Sequence, residues 1–143
     1  MGYGEVPALA TEIPRLQTVT GVAPSATVNT YGTATDIWPS RKRRGILALF
    51  HVALTSGGTF GAETLTVRIR TRFRDGTANS VTKTFTATGG ESVLTNAELW
   101  SLLTDEKMIE RLSIDCQSNI ASSTATAGIK VGFTNAHKGM EDT

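Results

Sequence analysis

The stretch LTVRIRTRFRDGTANSVTKTFTAT, from Leu65 to Thr88, decides the fold of this chain. Apolar and polar residues alternate from Thr64 to Arg74 and again from Ser80 to Thr88, and a period of two is the signature of half-buried strands. Between the two segments, Asp75-Gly76 is a strong tight-turn signal, because glycine tolerates a positive φ. The stretch therefore predicts an antiparallel hairpin, in which Lys83 is the one charge on the inner face.

The same alternation returns twice in the C-terminal half of the chain. Residues 108–117 predict a strand with an inner face of Met108, Glu110, Leu112, Ile114 and Cys116 and an outer face of Ile109, Arg111, Ser113, Asp115 and Gln117. Residues 124–134 alternate in the same way, after a link of Ser, Asn and Thr at 118–123. We expect these two strands to form a second antiparallel pair.

One helical signal lies between the two predicted pairs. Thr95-Asn96-Ala97-Glu98 matches the S/T-x-x-E capping box, and a short leucine stripe follows it. The pattern predicts a short helix near Asn96 to Leu103. Because a helix of about two turns is not stable alone, we expect it to cap an open end of the sheets.

The N-terminal third carries weaker patterns. A continuous apolar run from Gly45 to Leu54 indicates a strand buried on both sides. Arg15 to Val22 and Ala26 to Ile37 are further candidate strands. The residues before Arg15 include two prolines and show little periodicity, which indicates an extended arm.

Composition agrees with a β-rich fold of one domain. Of the 143 residues, 33 are Ser or Thr, and the branched Cβ of Thr favours strands. We predict an all-β fold: a single antiparallel β-sandwich or jelly-roll of about seven or eight strands with one short helix. The predicted boundaries are an extended N-terminal arm over residues 1–14, the sandwich over 15–134 and a polar C-terminal tail over 135–143.

The formal net charge of +1 conceals a strong asymmetry. Between residues 41 and 83 the balance is +7, and over the rest of the chain it is −6. Strand geometry places alternate residues on one side, so the hairpin predicts an arginine ladder of Arg68, Arg70, Arg72 and Arg74. A second basic run consists of Arg41, Lys42, Arg43 and Arg44.

These basic groups have several interpretations. The ladder is either a solvated face, neutralised in part by acidic residues on neighbouring strands, or a contact for a protein with an acidic surface. Nucleic acid is a less favoured partner, because the aromatic residues that would stack on bases are missing from this face. The run at 41–44 is a phosphate patch, a localisation signal, a docking edge or a solvated loop. Trp38, just before it, is either an interface anchor or a plug of the core.

Catalytic, metal and membrane functions find little support in the sequence. One Cys and two His make a zinc site improbable, and Cys116 is expected to be a buried, inert thiol. No arrangement of nucleophile and base is visible, so we predict a non-enzymatic protein without cofactors. The longest apolar run is about half of the roughly 20 residues that span a bilayer, and no signal peptide is evident.

Three segments resemble small structural proteins of tailed phages: the hairpin from Leu65 to Thr77, the segment from Thr82 to Gly89, and the Leu-Thr-x-x-Glu-Leu segment from Leu94 to Leu99. The resemblance is one of style and layout over about residues 45–134, and it carries over no individual functional residue. The proteins that these segments resemble are the capsid decoration proteins, also called cement proteins.

This resemblance implies a protein that binds the outside of a phage shell and stabilises it. Its partners would be the major capsid protein or another virion protein, and copies of itself in a homo-oligomer, with a trimer favoured. It would reside in the virion after assembly in the host cytoplasm. The alternative function is a receptor- or carbohydrate-binding β-sandwich of a phage tail or fibre.

Overall fold

The computed structural model describes residues 15–39, 46–103 and 109–136. Over these residues the chain forms one helix, α1 (Asn96–Leu103), and eight strands: β1 (Arg15–Val22), β2 (Thr35–Pro39), β3 (Ile46–Gly58), β4 (Leu65–Phe73), β5 (Ala78–Phe85), β6 (Glu91–Val93), β7 (Ile109–Ser118) and β8 (Ala125–Ala136). The predicted arm at 1–14 lies outside the described residues. β8 extends two residues beyond the predicted end of the sandwich.

The strands form two four-stranded antiparallel sheets. Sheet A has the order β1-β8-β3-β6, and sheet B has the order β2-β7-β4-β5. The chain changes sheet at every connection between strands except the β4–β5 hairpin. Eight strands wound in this way form a jelly-roll. The predicted all-β sandwich is therefore confirmed.

The β4–β5 hairpin matches the prediction closely. Leu65 pairs with Phe85 at one end and Arg72 with Ala78 at the other. In the turn, the amide of Gly76 donates to the carbonyl oxygen of Phe73 at 3.0 Å. Gly76 has a φ of +93°, a conformation that favours glycine, so the Asp-Gly signal identified the turn correctly.

The predicted pairing of the two C-terminal strands is wrong. β7 lies between β2 and β4 in sheet B, whereas β8 lies between β1 and β3 in sheet A. The link between β7 and β8 therefore crosses from one sheet to the other instead of making a hairpin. Alternation fixes which side of a strand faces the core, but it does not identify the neighbouring strand.

The predicted faces of β7 are correct from Arg111 onward and reversed at Ile109 and Glu110. A register shift places Ile109 opposite Phe73, while Arg111 stays opposite Arg72. This β-bulge inserts one residue and reverses the alternation. Consequently Ile109 is buried and Glu110 is only half-buried, the reverse of the prediction. Met108 lies outside the described residues.

A second bulge explains the apolar run that forms β3. The register shifts between Leu49 and His51, so Leu49 and Val52 both face the core. Phe50, at the bulge, is 51% exposed, which corrects the prediction of a strand buried on both sides. The predicted strand from Ala26 to Ile37 is also corrected, because β2 begins only at Thr35.

The core lies between the two sheets, and α1 closes one of its open sides. α1 contacts β3, β4 and β5. It lies on the side where the edge strand of sheet A, β6, has only three residues. Leu99 and Leu102 are buried, as expected for a capping helix. Glu98 accepts from the amide of Thr95 at 2.9 Å and pairs with Lys83 at 2.8 Å. The inward charge of Lys83 is therefore neutralised by the helix.

Candidate protein-interaction surface

The outer surface of sheet B, here called the arginine face, carries three of the four predicted ladder residues. Buried residues alternate with half-buried ones along β4, and Arg68, Arg70 and Arg72 occupy the half-buried positions. Arg74 follows the strand, and it is exposed in the β4–β5 turn. The ladder therefore has three members on the sheet and a fourth at its end.

Asp115 of β7 neutralises one end of this ladder. The register places it directly opposite Arg68, whose Nε and Nη2 donate to the two carboxylate oxygens at 2.9 and 2.5 Å. The Arg70 guanidinium lies 3.8 Å from the same carboxylate, and the Asp115 side chain is only 5% exposed. The hydrogen bond that Arg68 donates to Asp115 raises the pKa of Arg68. Burial, and then repulsion by Arg68, lowers the pKa of Arg70.

Tyr31 covers the same end of the face. Its ring centroid lies 3.7 Å from the Arg68 guanidinium carbon, a close cation–π contact. The β1–β2 connection is held against β7 by hydrogen bonds from the Gly32 amide to Cys116 and from the Asn29 amide to Ser118. Burial raises the pKa of the Tyr31 hydroxyl. Arg68 is therefore held between a carboxylate and an aromatic ring of its own chain. These contacts give it a structural role.

At the other end of the face, two arginines have no ion-pair partner among the residues that the structure describes. Arg111 lies opposite Arg72, and its Nε is 3.3 Å from Asp36 in an exposed pair. Over the described ranges, neither Arg72 nor Arg74 has an ion-pair partner. The cationic surface is therefore concentrated around Arg72 and Arg74, next to Arg70, which lies 3.8 Å from the Asp115 carboxylate.

The strand beside this cationic surface presents no charged residue on its outward side. The outward residues of β5 are small and exposed: Ala78, Ser80, Thr82 and Thr84. Tyr31 is the one aromatic ring observed on the described part of the arginine face, and it is already stacked on Arg68. Among the side chains that the structure describes on this face, hydroxyl and guanidinium groups are open to a partner, but no free ring is present on which a base could stack.

The remaining predicted site residues are less fully described. Trp38 lies in β2 opposite Leu112, beside a register shift. Arg41, Lys42, Arg43 and Arg44 lie outside the described residues, in the segment that joins Pro39 to Ile46. Pro39, the last residue of β2, is opposite Arg111, at the end of sheet B where Arg72 lies. The roles suggested for Trp38 and the basic run remain predictions.

Sequence patterns missed Asp115 and Tyr31 as partners of Arg68. Asp115 occupied an outward position in the alternating pattern of β7, but its place beside Arg68 depends on the β4–β7 register. Tyr31 lies in an irregular connection, where no periodicity points to a face.

Groups that could support chemistry are sparse in the described part of the chain. Cys116 is fully buried, as predicted, and burial raises the pKa of its thiol to about 12. The described residues contain no cluster of three His, Cys, Asp or Glu that could hold a metal. In the same ranges, no helix has the length and hydrophobicity needed to cross a bilayer.

Comparisons with known proteins gave limited results. No family model matches the chain, and no curated protein does. Among solved structures, the chain is similar to one of infectious bursal disease virus Gx strain, with 14% identity and a TM-score of 0.40. It is also similar to the infectious bursal disease virus VP2 subviral particle, with 16% identity and a TM-score of 0.41. In both cases the match covers 88% of this chain but 33% of the other, so the chain spans about a third of those chains. At these values the likeness does not bear on function.

Proposed function

We propose that this protein is a structural component of a virus particle, and specifically a decoration protein that binds the outer surface of a phage capsid and stabilises it. Jelly-rolls recur in viral capsid and lectin domains, but a fold alone does not define a function. The observation that carries the proposal is that Arg72 and Arg74 have no ion-pair partner among the described residues and lie at the end of the face where β4 pairs with the exposed, uncharged outer row of β5. The proposed partner is the major capsid protein or another virion protein.

The chemistry of the arginine face favours a carboxylate-rich protein surface. Arginine pairs with carboxylates through two parallel hydrogen bonds, and it is enriched among the residues that dominate binding energy. Arg68 shows this mode inside the molecule, with Asp115. Arg72 and Arg74 are available to repeat it with a partner. The same geometry supports nucleic acid less well, because a free stacking ring is not among the described residues of the face.

The carbohydrate-binding alternative needs a platform of exposed aromatic rings. Trp100 on α1 and Phe50 on β3 are 69% and 51% exposed, but they lie on different elements. A depression of about 460 Å³ beside Tyr31 is lined by Ala23, Pro24, Ser25, Gly32 and Thr33, and the ring of Tyr31 is occupied by Arg68. These observations favour the capsid-binding proposal. Specific binding on a glycan array would support the alternative.

Cosedimentation tests the proposal. The full-length protein is mixed with shells assembled from the major capsid protein of the same genome, in 50 mM and 500 mM NaCl. We expect the protein in the pellet at low salt and less of it at high salt, because salt screens contacts between exposed charges. If the protein stays in the supernatant at low salt after it is mixed with these shells, the proposal is contradicted.

A matched pair of variants tests the arginine face itself. Arg72→Glu places a carboxylate on the arginine face, and Ala121→Glu places one at an exposed position in the β7–β8 connection, outside both sheets. We expect Arg72→Glu to weaken binding by at least about tenfold, since like charges placed opposite each other repel. Ala121→Glu should bind as the wild type does. Equal binding by the two variants would exclude the arginine face as the contact.

A further inference from the structure

The outer surface of sheet A, here called the apolar face, exposes large hydrophobic residues. Leu16 of β1 is 79% exposed, and Phe50 of β3 and Val93 of β6 are each 51% exposed. The register places Leu16 opposite Gly132 of β8, with Phe50 at the bulge on the other side of Gly132. Contiguous exposed apolar surface on a soluble protein commonly marks an interaction site.

Gly132 allows the two larger side chains to meet across the sheet. A Cβ atom at this position would lie 2.5 Å from Cε1 of Phe50 and 3.1 Å from Cδ2 of Leu16. Only a residue without a side chain therefore lets the Phe50 ring lie over β8. The bulge turns the ring outward, and Gly132 accommodates it. The result is an apolar strip that crosses β1, β8 and β3.

The charges beside the strip balance each other. The next row of the face contains Ala53, flanked by Lys130 on β8 and Val93 on β6. Lys130 pairs with Glu91 at 3.0 Å, and both side chains are about half exposed. Among the side chains that the structure describes on the apolar face, Lys130 is the one cation and Glu91 the one anion, whereas the arginine face has an excess of positive charge.

We propose that the apolar face binds the same face of a second copy of this chain. Two copies of a surface whose charges cancel can approach without repulsion, and across a twofold axis Lys130 of one copy can face Glu91 of the other. The arginine face would repel its own copy. The four strands contain 36 residues in all, and each residue covers about 3.3 Å by 4.8 Å of the sheet. The resulting area of roughly 600 Å² approaches the roughly 800 Å² that each partner buries in a standard interface.

Sedimentation equilibrium of the full chain tests the proposal without any capsid. We expect a monomer–dimer equilibrium in the wild type. Leu16→Glu should raise the dissociation constant at least about tenfold, because an unpaired carboxylate would be buried in the contact. Ile120→Glu, at an exposed position in the β7–β8 connection, should leave it unchanged. Urea unfolding of each variant confirms that the fold is retained.

Three results would overturn the proposal: a wild type that stays monomeric up to about 100 μM, a dimer that Leu16→Glu does not weaken, or a trimer. A threefold contact joins two different patches, so it cannot join this face to itself. A trimer is the state that the resemblance to decoration proteins favours, and the measurement therefore separates the two expectations.

Cross-linking locates the contact independently of stability. Cys116 is buried, so a cysteine introduced at an exposed position is the reactive thiol of the native chain. Thr18→Cys places it opposite Lys130 on the apolar face, and Thr82→Cys places it on the arginine face. A short bis-maleimide should join two copies of the Thr18→Cys protein but not of the Thr82→Cys protein. Equal cross-linking of both would contradict the face-to-face contact.

Discussion

Removing the carboxylate of Asp115 should destabilise the domain strongly. This group is 5% exposed and holds two guanidiniums, which are 21% and 25% exposed. Breaking a buried ion pair by removing one partner costs about 3–5 kcal/mol, because the remaining charge stays buried without compensation. Since Arg68 and Arg70 keep some access to water, we expect Asp115→Ala to lower the free energy of unfolding by about 3 kcal/mol. For a domain of this size the melting temperature should fall by about 10 °C.

Urea unfolding at pH 7, followed by circular dichroism, measures this loss. The matched control is Asp36→Ala, because Asp36 pairs with Arg111 on the same face but both side chains are more than a third exposed. Exposed pairs contribute at most about 1 kcal/mol, so Asp36→Ala should have a small effect. A loss for Asp115→Ala no larger than that for Asp36→Ala would refute the assignment of Asp115 as the residue that fixes the ladder.

Three further predictions concern single groups. Thr95→Ala should cost about 1 kcal/mol in urea unfolding, because the Thr95 hydroxyl accepts from the Glu98 amide at the start of α1; an unchanged midpoint would contradict it. Iodoacetamide at pH 8 should not modify Cys116 in the native chain, whose thiol pKa is about 12, and rapid modification would show that the thiol is accessible. Because the unfolded thiol ionises first, stability should also fall above about pH 9. A hydrogen bond from Ser123 lowers the pKa of Glu63, so the stability that the Glu63 carboxylate contributes is lost as the pH falls below about 4.5. In Glu63→Gln, the urea midpoint should therefore decrease less than in the wild type as the pH is lowered through this range.

Local signals identified the β4–β5 hairpin, the helix and most of the strands, whereas contacts between distant residues decide how the strands pair. The hairpin around Gly76 and the helix from Asn96 were predictable because turn chemistry and capping depend on adjacent residues. The pairing of β7 with β4 joins residues about 45 positions apart in the chain, so no local pattern could specify it. The bulges at Phe50 and Glu110 were hidden as well, because one inserted residue reverses a face without changing composition.

The candidate site was predictable in part for the same reason. Strand periodicity placed Arg68, Arg70 and Arg72 on one face, and the structure shows them there. The division of that face into a neutralised end and an uncompensated end depends on Asp115 and Tyr31, which reach Arg68 from other parts of the chain. The apolar strip over Gly132 depends on the β1–β8–β3 register and could not be seen in the sequence.

Cryo-electron microscopy of capsid shells mixed with the protein tests the central claim most directly. The account predicts additional density on the outside of the shell that fits the jelly-roll, with sheet B turned toward the capsid and Arg72 and Arg74 against acidic residues of the shell. Shells without added density at low salt, or density in which sheet B faces away from the capsid, would contradict it.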